Sequence, residues 1–166
     1  MKHFLMTRRL LGAAVLSALL AALTVIPVQA ATPKDTLVVV FAFDDIITMD
    51  PAEAFEISAG EIMGNTYDRL VRFDVSDPSK LYGDVANGWT VSPDGKTFSF
   101  DLKPGLKFAS GNALTAEDVV FSLQRAVLLD KTPAFILTQF GFTPDNVADK
   151  IKATDDGTLV IVTDKP

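Results

Sequence analysis

Between Trp89 and Arg125 the hydrophobic period changes from two to about 3.6, and this change constrains the fold more than any other feature of the sequence. Phe98, Phe100 and Leu102 alternate with Thr97, Ser99, Asp101 and Lys103, as in a strand with one buried face. Ser92-Pro93-Asp94-Gly95 supplies a turn ahead of it, so Trp89 to Val91 is predicted to fold back antiparallel onto Lys96 to Leu102. Lys103-Pro104-Gly105 and Ser110-Gly111-Asn112 read as two further turns around a short apolar strand at Leu106 and Phe108. A helix then starts at Thr115, with Asp118 completing a capping box and Leu114 and Val119 placed as a hydrophobic staple. Val119, Val120, Leu123, Ala126 and Val127 follow at one-face spacing and are expected on the core side.

The 166 residues are 48% hydrophobic, enough for one domain with a core. There is no cysteine, which excludes disulfides, thiol nucleophiles and thiolate metal sites. Met1 to Arg9 carries Lys2, Arg8 and Arg9, Leu10 to Ile26 is uncharged and apolar, and Val28-Gln29-Ala30 offers small residues for a cut. Residues 1–30 therefore read as a secretory signal peptide and 31–166 as the mature part, exported into a soluble compartment. Arg8-Arg9 read as ordinary n-region charges rather than a twin-arginine signal. With the three basic residues of the leader removed, 12 Lys and Arg face 21 Asp and Glu, a balance that argues against nucleic acid as a partner.

Thr36 to Phe43, TLVVVFAF, lacks alternation and reads as a strand buried on both faces of a sheet. It runs into a loop carrying Asp44, Asp45, Ile46 and Ile47 and ending at Asp50-Pro51, a setting where ligand contacts are common. Read from the residues alone, the two acids are better explained by solvation of a turn. Ser58-x-x-Glu61 has capping-box form, and Ala59, Ile62, Met63, Thr66, Tyr67 and Leu70 predict a helix over about 59–70. Gly60 and Gly64 suit close packing. Val71 to Asp74 reads as a short strand, residues 81–88 as an extended connection, and Tyr82 and Trp89 as core or half-buried aromatics. The helix from Thr115 is expected to end before Pro133. Residues 134–142 fit either a short helix or a lid-like connection. Asp155-Asp156-Gly157 predicts a hairpin between Ile151 to Thr154 and Thr158 to Thr163.

Little catalytic chemistry is open to such a chain. Its one histidine is His3, inside the leader, so Ser/His and Cys/His nucleophilic machinery has no base. No calcium-loop or phosphate-loop spacing occurs, and neither metal nor cofactor is expected. Adjacent acids such as Asp44 and Asp45 point to opposite sides of an extended backbone and do not flank a single bond.

Three segments together resemble the family 5 extracellular solute-binding proteins, the dipeptide, oligopeptide and nickel receptors of ABC importers. They are Ala86-Asn87-Gly88-Trp89, the run from Ser92 to Phe108 and the run from Gly111 to Val119, in the family's order and spacing. Thr48-Met49-Asp50-Pro51 is similar to a family element after the first strand, with Met49 in place of leucine, and residues 65–71 resemble its tyrosine-acid helix end. The resemblance runs from about Thr36 to Pro166. It implies an α+β fold of the type II periplasmic-binding-protein kind: residues 36–50 start domain I, and about 51–166 form a domain II-like region. Family chains are several times longer, so the sequence reads as an N-terminal fragment. The implied compartment is the periplasm, and the implied function is a monomeric receptor that delivers short peptides, or a related solute, to an inner-membrane ABC permease. Phe43, Asp44, Asp45, Ile46 and Ile47 would then lie at the ligand cleft. Two readings of other classes stand beside it, a secreted carboxylate-dependent hydrolase and an adhesive β domain without a small-molecule site.

Overall fold

The computed structural model describes residues 32–166. The signal peptide expected over residues 1–30 lies outside the described residues. The chain divides into two units, Met1–Phe41 and Ala42–Pro166. Of the first unit, residues 32–41 contain a turn at 34–35, where the Thr36 N–H donates to the Pro33 carbonyl at 3.0 Å. Residues 36–43 are not in a strand, and Leu37, Val38, Val39 and Val40 are exposed, Val40 to 92%. This corrects the expected doubly buried strand. Such a strand needs a hydrogen-bonded neighbour and an apolar layer on each face. The strands among the described residues pair with one another instead.

The unit from Ala42 to Pro166 opens with helix α1 (Ile57–Thr66). A small hairpin follows, β1 (Val71–Phe73) against β2 (Leu81–Gly83), in which Arg72 pairs with Tyr82. Residues 81–83 were expected in an extended connection and instead form this second strand. Asp74 makes the turn possible: its carboxylate accepts from the N–H groups of Ser76 and Asp77, and the Asp74 N–H closes onto the Lys80 carbonyl at 2.9 Å.

The main sheet begins as the period-two pattern requires. β3 (Ala86–Val91) and β4 (Thr97–Leu102) are antiparallel, with Trp89 opposite Phe100 and Val91 opposite Phe98. Gly95 takes φ +72° in the turn between them, a conformation that side chains disfavour. The turns at 104–105 and 109–110 form, but the short strand expected at Leu106 and Phe108 reduces to a single bridge between Lys107 and Ala113. Helix α2 (Ala116–Leu129) starts from the capping box, in which the Asp118 carboxylate accepts from the Thr115 N–H at 2.8 Å. It stops at Asp130, in the left-handed region at φ 48°, ahead of Pro133. A 3-10 turn (Thr132–Ala134) and the short helix α3 (Phe135–Thr138) occupy the ambiguous apolar stretch. A second one-turn helix, α4 (Val147–Lys150), was not foreseen, and it leads straight into β5 (Ile151–Ala153) and β6 (Leu159–Val162).

The four main strands lie in the order β3-β4-β6-β5, all neighbours antiparallel. The core forms where α2 lies against β5 and β6. Val127, Ile151, Leu159 and Val147 are fully buried there, with Phe100 and Phe142 beside them and Val119, Val120 and Leu123 packed at the margin. Gln124 anchors the helix to the sheet through a hydrogen bond from Nε2 to the Ile151 carbonyl at 2.7 Å. Trp89 is half-buried against Phe100, with ring centroids 6.2 Å apart, whereas Tyr82 is exposed.

Candidate functional site

The five residues singled out as ligand-facing sit on one short turn. Asp44 and Asp45 form its tip, and the Ile46 N–H donates to the Phe43 carbonyl at 3.4 Å. Phe43 is 54% exposed and Ile47 85%, the two acids are exposed, and Ile46 is half-buried. Apolar and acidic side chains thus share an exposed turn, although apolar groups left in water forgo the burial that stabilises folds.

Both ends of this turn are tied to the unit. At its start, Ser58 in the first turn of α1 donates its hydroxyl to the Ala42 carbonyl at 3.1 Å, and its N–H donates to Asp45 Oδ2 at 3.4 Å. Ser58 is only 4% exposed. This replaces the expected Ser58-x-x-Glu61 capping box. The helix begins two residues earlier than expected, at Ile57, with Glu56 at the cap position, so Ser58 lies inside it and its hydroxyl bonds elsewhere. The helix ends at Thr66, so Tyr67 and Leu70 lie beyond it. Gly60 has open space on its α-carbon and Gly64 faces the Arg69 side chain, so no close backbone packing occurs at either.

At its end the turn leads into Asp50, which holds the segment by three kinds of contact. The Asp50 N–H donates to Thr48 Oγ1 at 3.1 Å, and Asp50 Oδ1 accepts from the Ala52 N–H at 3.0 Å. Arg125 on α2 grips the carboxylate with both guanidinium nitrogens, Nη1 to Oδ1 at 2.7 Å and Nη2 to Oδ2 at 2.5 Å. The Arg125 hydrogen bonds, with the Ala52 N–H, hold the Asp50 carboxyl at about 2, against an ordinary value of 3.8. Asp50 and Arg125 are 75 positions apart, and sequence reasoning missed the pair. No local pattern marks it. The one available signal was Arg125 itself, a charge set between the core-facing positions Leu123 and Ala126.

Among the described residues no group of three or more Asp, Glu, His or Cys is placed to hold a metal ion, and no helix is long and apolar enough to cross a membrane. Asp44 and Asp45 are neighbours on the turn, and Asp45 is engaged by Ser58.

The fold resembles solved peptide receptors. It superposes on the Escherichia coli murein tripeptide binding protein with a TM-score of 0.62 and 28% identity, covering 72% of this chain and 25% of that one. The match to Haemophilus influenzae OppA in complex with RPPGFSPFR has a TM-score of 0.63 and 26% identity over 72% of this chain and 25% of that one. The architecture is therefore α+β and part of the type II periplasmic-binding-protein fold. Residues 80–166 match the bacterial extracellular solute-binding proteins, family 5, and the chain belongs to that family. A probable D,D-dipeptide-binding periplasmic protein of Escherichia coli is 36% identical over 109 residues, 64% of this chain and 21% of that protein. The glutathione-binding protein of Pectobacterium atrosepticum is 31% identical over 146 residues, 88% of this chain and 26% of that protein. The chain thus spans between a fifth and about a quarter of the length of these relatives.

Proposed function

We propose that the protein carrying this chain is a periplasmic receptor that captures short peptides, or a related small solute, and delivers them to an inner-membrane ABC permease. The observation that carries this reading is the joint match of residues 80–166 to the solute-binding family and of the folded unit to receptors whose names specify peptides. Dipeptide- and glutathione-binding relatives support a short peptide as the solute class. Residues 1–30 act as the export signal in this reading, residues 36–50 open domain I, residues from about 51 to 166 form the domain II-like region, and the receptor works as a monomer. It is a transport protein and not an enzyme. The carboxylate-dependent hydrolase draws no support from the relatives.

The turn Phe43 to Ile47 is the part of this chain assigned to the ligand. Its support is its mixture of exposed apolar and acidic groups and the ties at both ends, which favour a fixed backbone for an extended peptide to pair with. Closure around the ligand would follow from its higher affinity for the closed form. Thermal unfolding of the full-length protein with di-, tri- and tetra-alanine tests the reading. Binding at a hundredfold excess over Kd stabilises by about 2.7 kcal/mol, a rise of several degrees in Tm. An unchanged Tm with every peptide, together with release of a hydrolysed product, would sink it in favour of the enzyme.

A further inference from the structure

We infer that Ser58 is a positioning residue for the turn Phe43 to Ile47, setting its backbone through two hydrogen bonds while touching no ligand. The inference rests on the receptor reading for its functional meaning, but its geometry stands by itself. Ser58 is buried in the first turn of α1, where serine adds nothing to an apolar core and is a poorer helix former than alanine. What serine supplies is the hydroxyl donor; the N–H beside it belongs to the backbone and is kept in Ser58→Ala. Its hydroxyl fixes the Ala42 carbonyl, the last peptide group before Phe43, and its N–H holds the Asp45 carboxylate at the tip. That carboxylate therefore lies beside the N-terminal end of α1, where helix N–H groups favour negative charge.

The far side of the turn is held separately. Thr48, Asp50 and Ala52 form a local hydrogen-bonded knot, and Arg125 pins it to α2. Residues 43–47 thus hang between two attachments on different helices. Removing one attachment leaves the other in place, so loss of Ser58 should loosen the turn without releasing the segment. Alanine at 58 keeps the helix and deletes the hydroxyl; threonine restores it.

Hydrogen exchange of the full-length protein, with and without trialanine, tests the assignment. Ser58→Ala should speed exchange of the Ile46 N–H, the amide that closes the turn onto the Phe43 carbonyl, roughly fivefold, as expected for one lost hydrogen bond, with β4 and β6 unchanged. Ser58→Thr should restore the slow exchange. Ser122→Ala removes a hydroxyl that bonds only the Asp118 carbonyl within α2 and should leave the turn as it was. Where trialanine binds, its Kd should weaken roughly fivefold in Ser58→Ala and recover in Ser58→Thr. Unchanged exchange of the Ile46 N–H in Ser58→Ala overturns the inference, and so does a uniform rise that includes β4 and β6 with a lower Tm. Faster exchange in Ser58→Ala, with no protection of the wild-type turn by trialanine and no shift in Tm with di-, tri- or tetra-alanine, upholds the role of Ser58 and overturns the peptide-receptor reading instead.

Discussion

Asp50 shows how far a single side chain reaches in this unit. Its carboxyl is held at about 2 rather than 3.8, first by the Arg125 hydrogen bonds and then by the Ala52 N–H. A folded-state value below the unfolded one stabilises the charged form, so the contribution is complete above about pH 3.8 and is lost as pH falls toward 2. A shift of that size corresponds to about 1–2 kcal/mol once the partial exposure of the pair is allowed for. Urea unfolding across this pH range should show that acid limb in the native chain and a flatter one in Asp50→Asn; parallel curves would remove Asp50 as its source. Gly141 makes a second residue-scale prediction. It sits at φ +93°, and a β-carbon there would meet the Asp164 carboxylate, which Lys150 holds by an ion pair of 2.7 Å. Gly141→Ala should cost about 1–3 kcal/mol, read as a lower urea midpoint with an unchanged slope. Neither residue was recognisable in the sequence. Asp50 looked like part of a motif and Gly141 like any small residue, because what defines each is a partner brought near only by folding.

The elements that could be read from sequence are those whose causes are local. The β3–β4 and β5–β6 hairpins carry their turns in Pro93-Asp94-Gly95 and Asp155-Asp156-Gly157, and α2 carries its start in Thr115 and Asp118. The failures have equally definite causes. α4 is a single turn, too short to show a period. α1 begins at Ile57 because Ser58 bonds the Ala42 carbonyl, a tertiary contact that overrides a local capping pattern. The apolar run 36–43 has the composition of a buried strand, but composition cannot supply its neighbours. At this scale the packing of α2 on β5 and β6 is the testable feature. Val127→Ala and Leu159→Ala remove fully buried side chains from its two sides and should each cost about 2–4 kcal/mol in urea unfolding. Phe121→Ala, on the exposed side of the same helix, should fall within about 0.5 kcal/mol of the native chain.

For the molecule as a whole, the fold class and the family were legible because the turn and strand chemistry of residues 86–119 is itself the family's pattern. The strand order was not, since nothing in a hairpin says which of its edges will be covered. The order β3-β4-β6-β5 has a consequence in time. The second edge of β4 is completed by β6, where Thr97 meets Val162 and Phe100 meets Leu159. A chain delivered first residue first, whether from the ribosome or across the membrane, must therefore expose that edge until residues 159–162 have emerged, an interval of roughly 3–12 s when delivery keeps pace with ordinary elongation. During it, β4 is a sticky template for other chains. A factor that binds nascent chains would be needed most between the synthesis of Leu102 and that of Val162, and the sheet cannot close ahead of it.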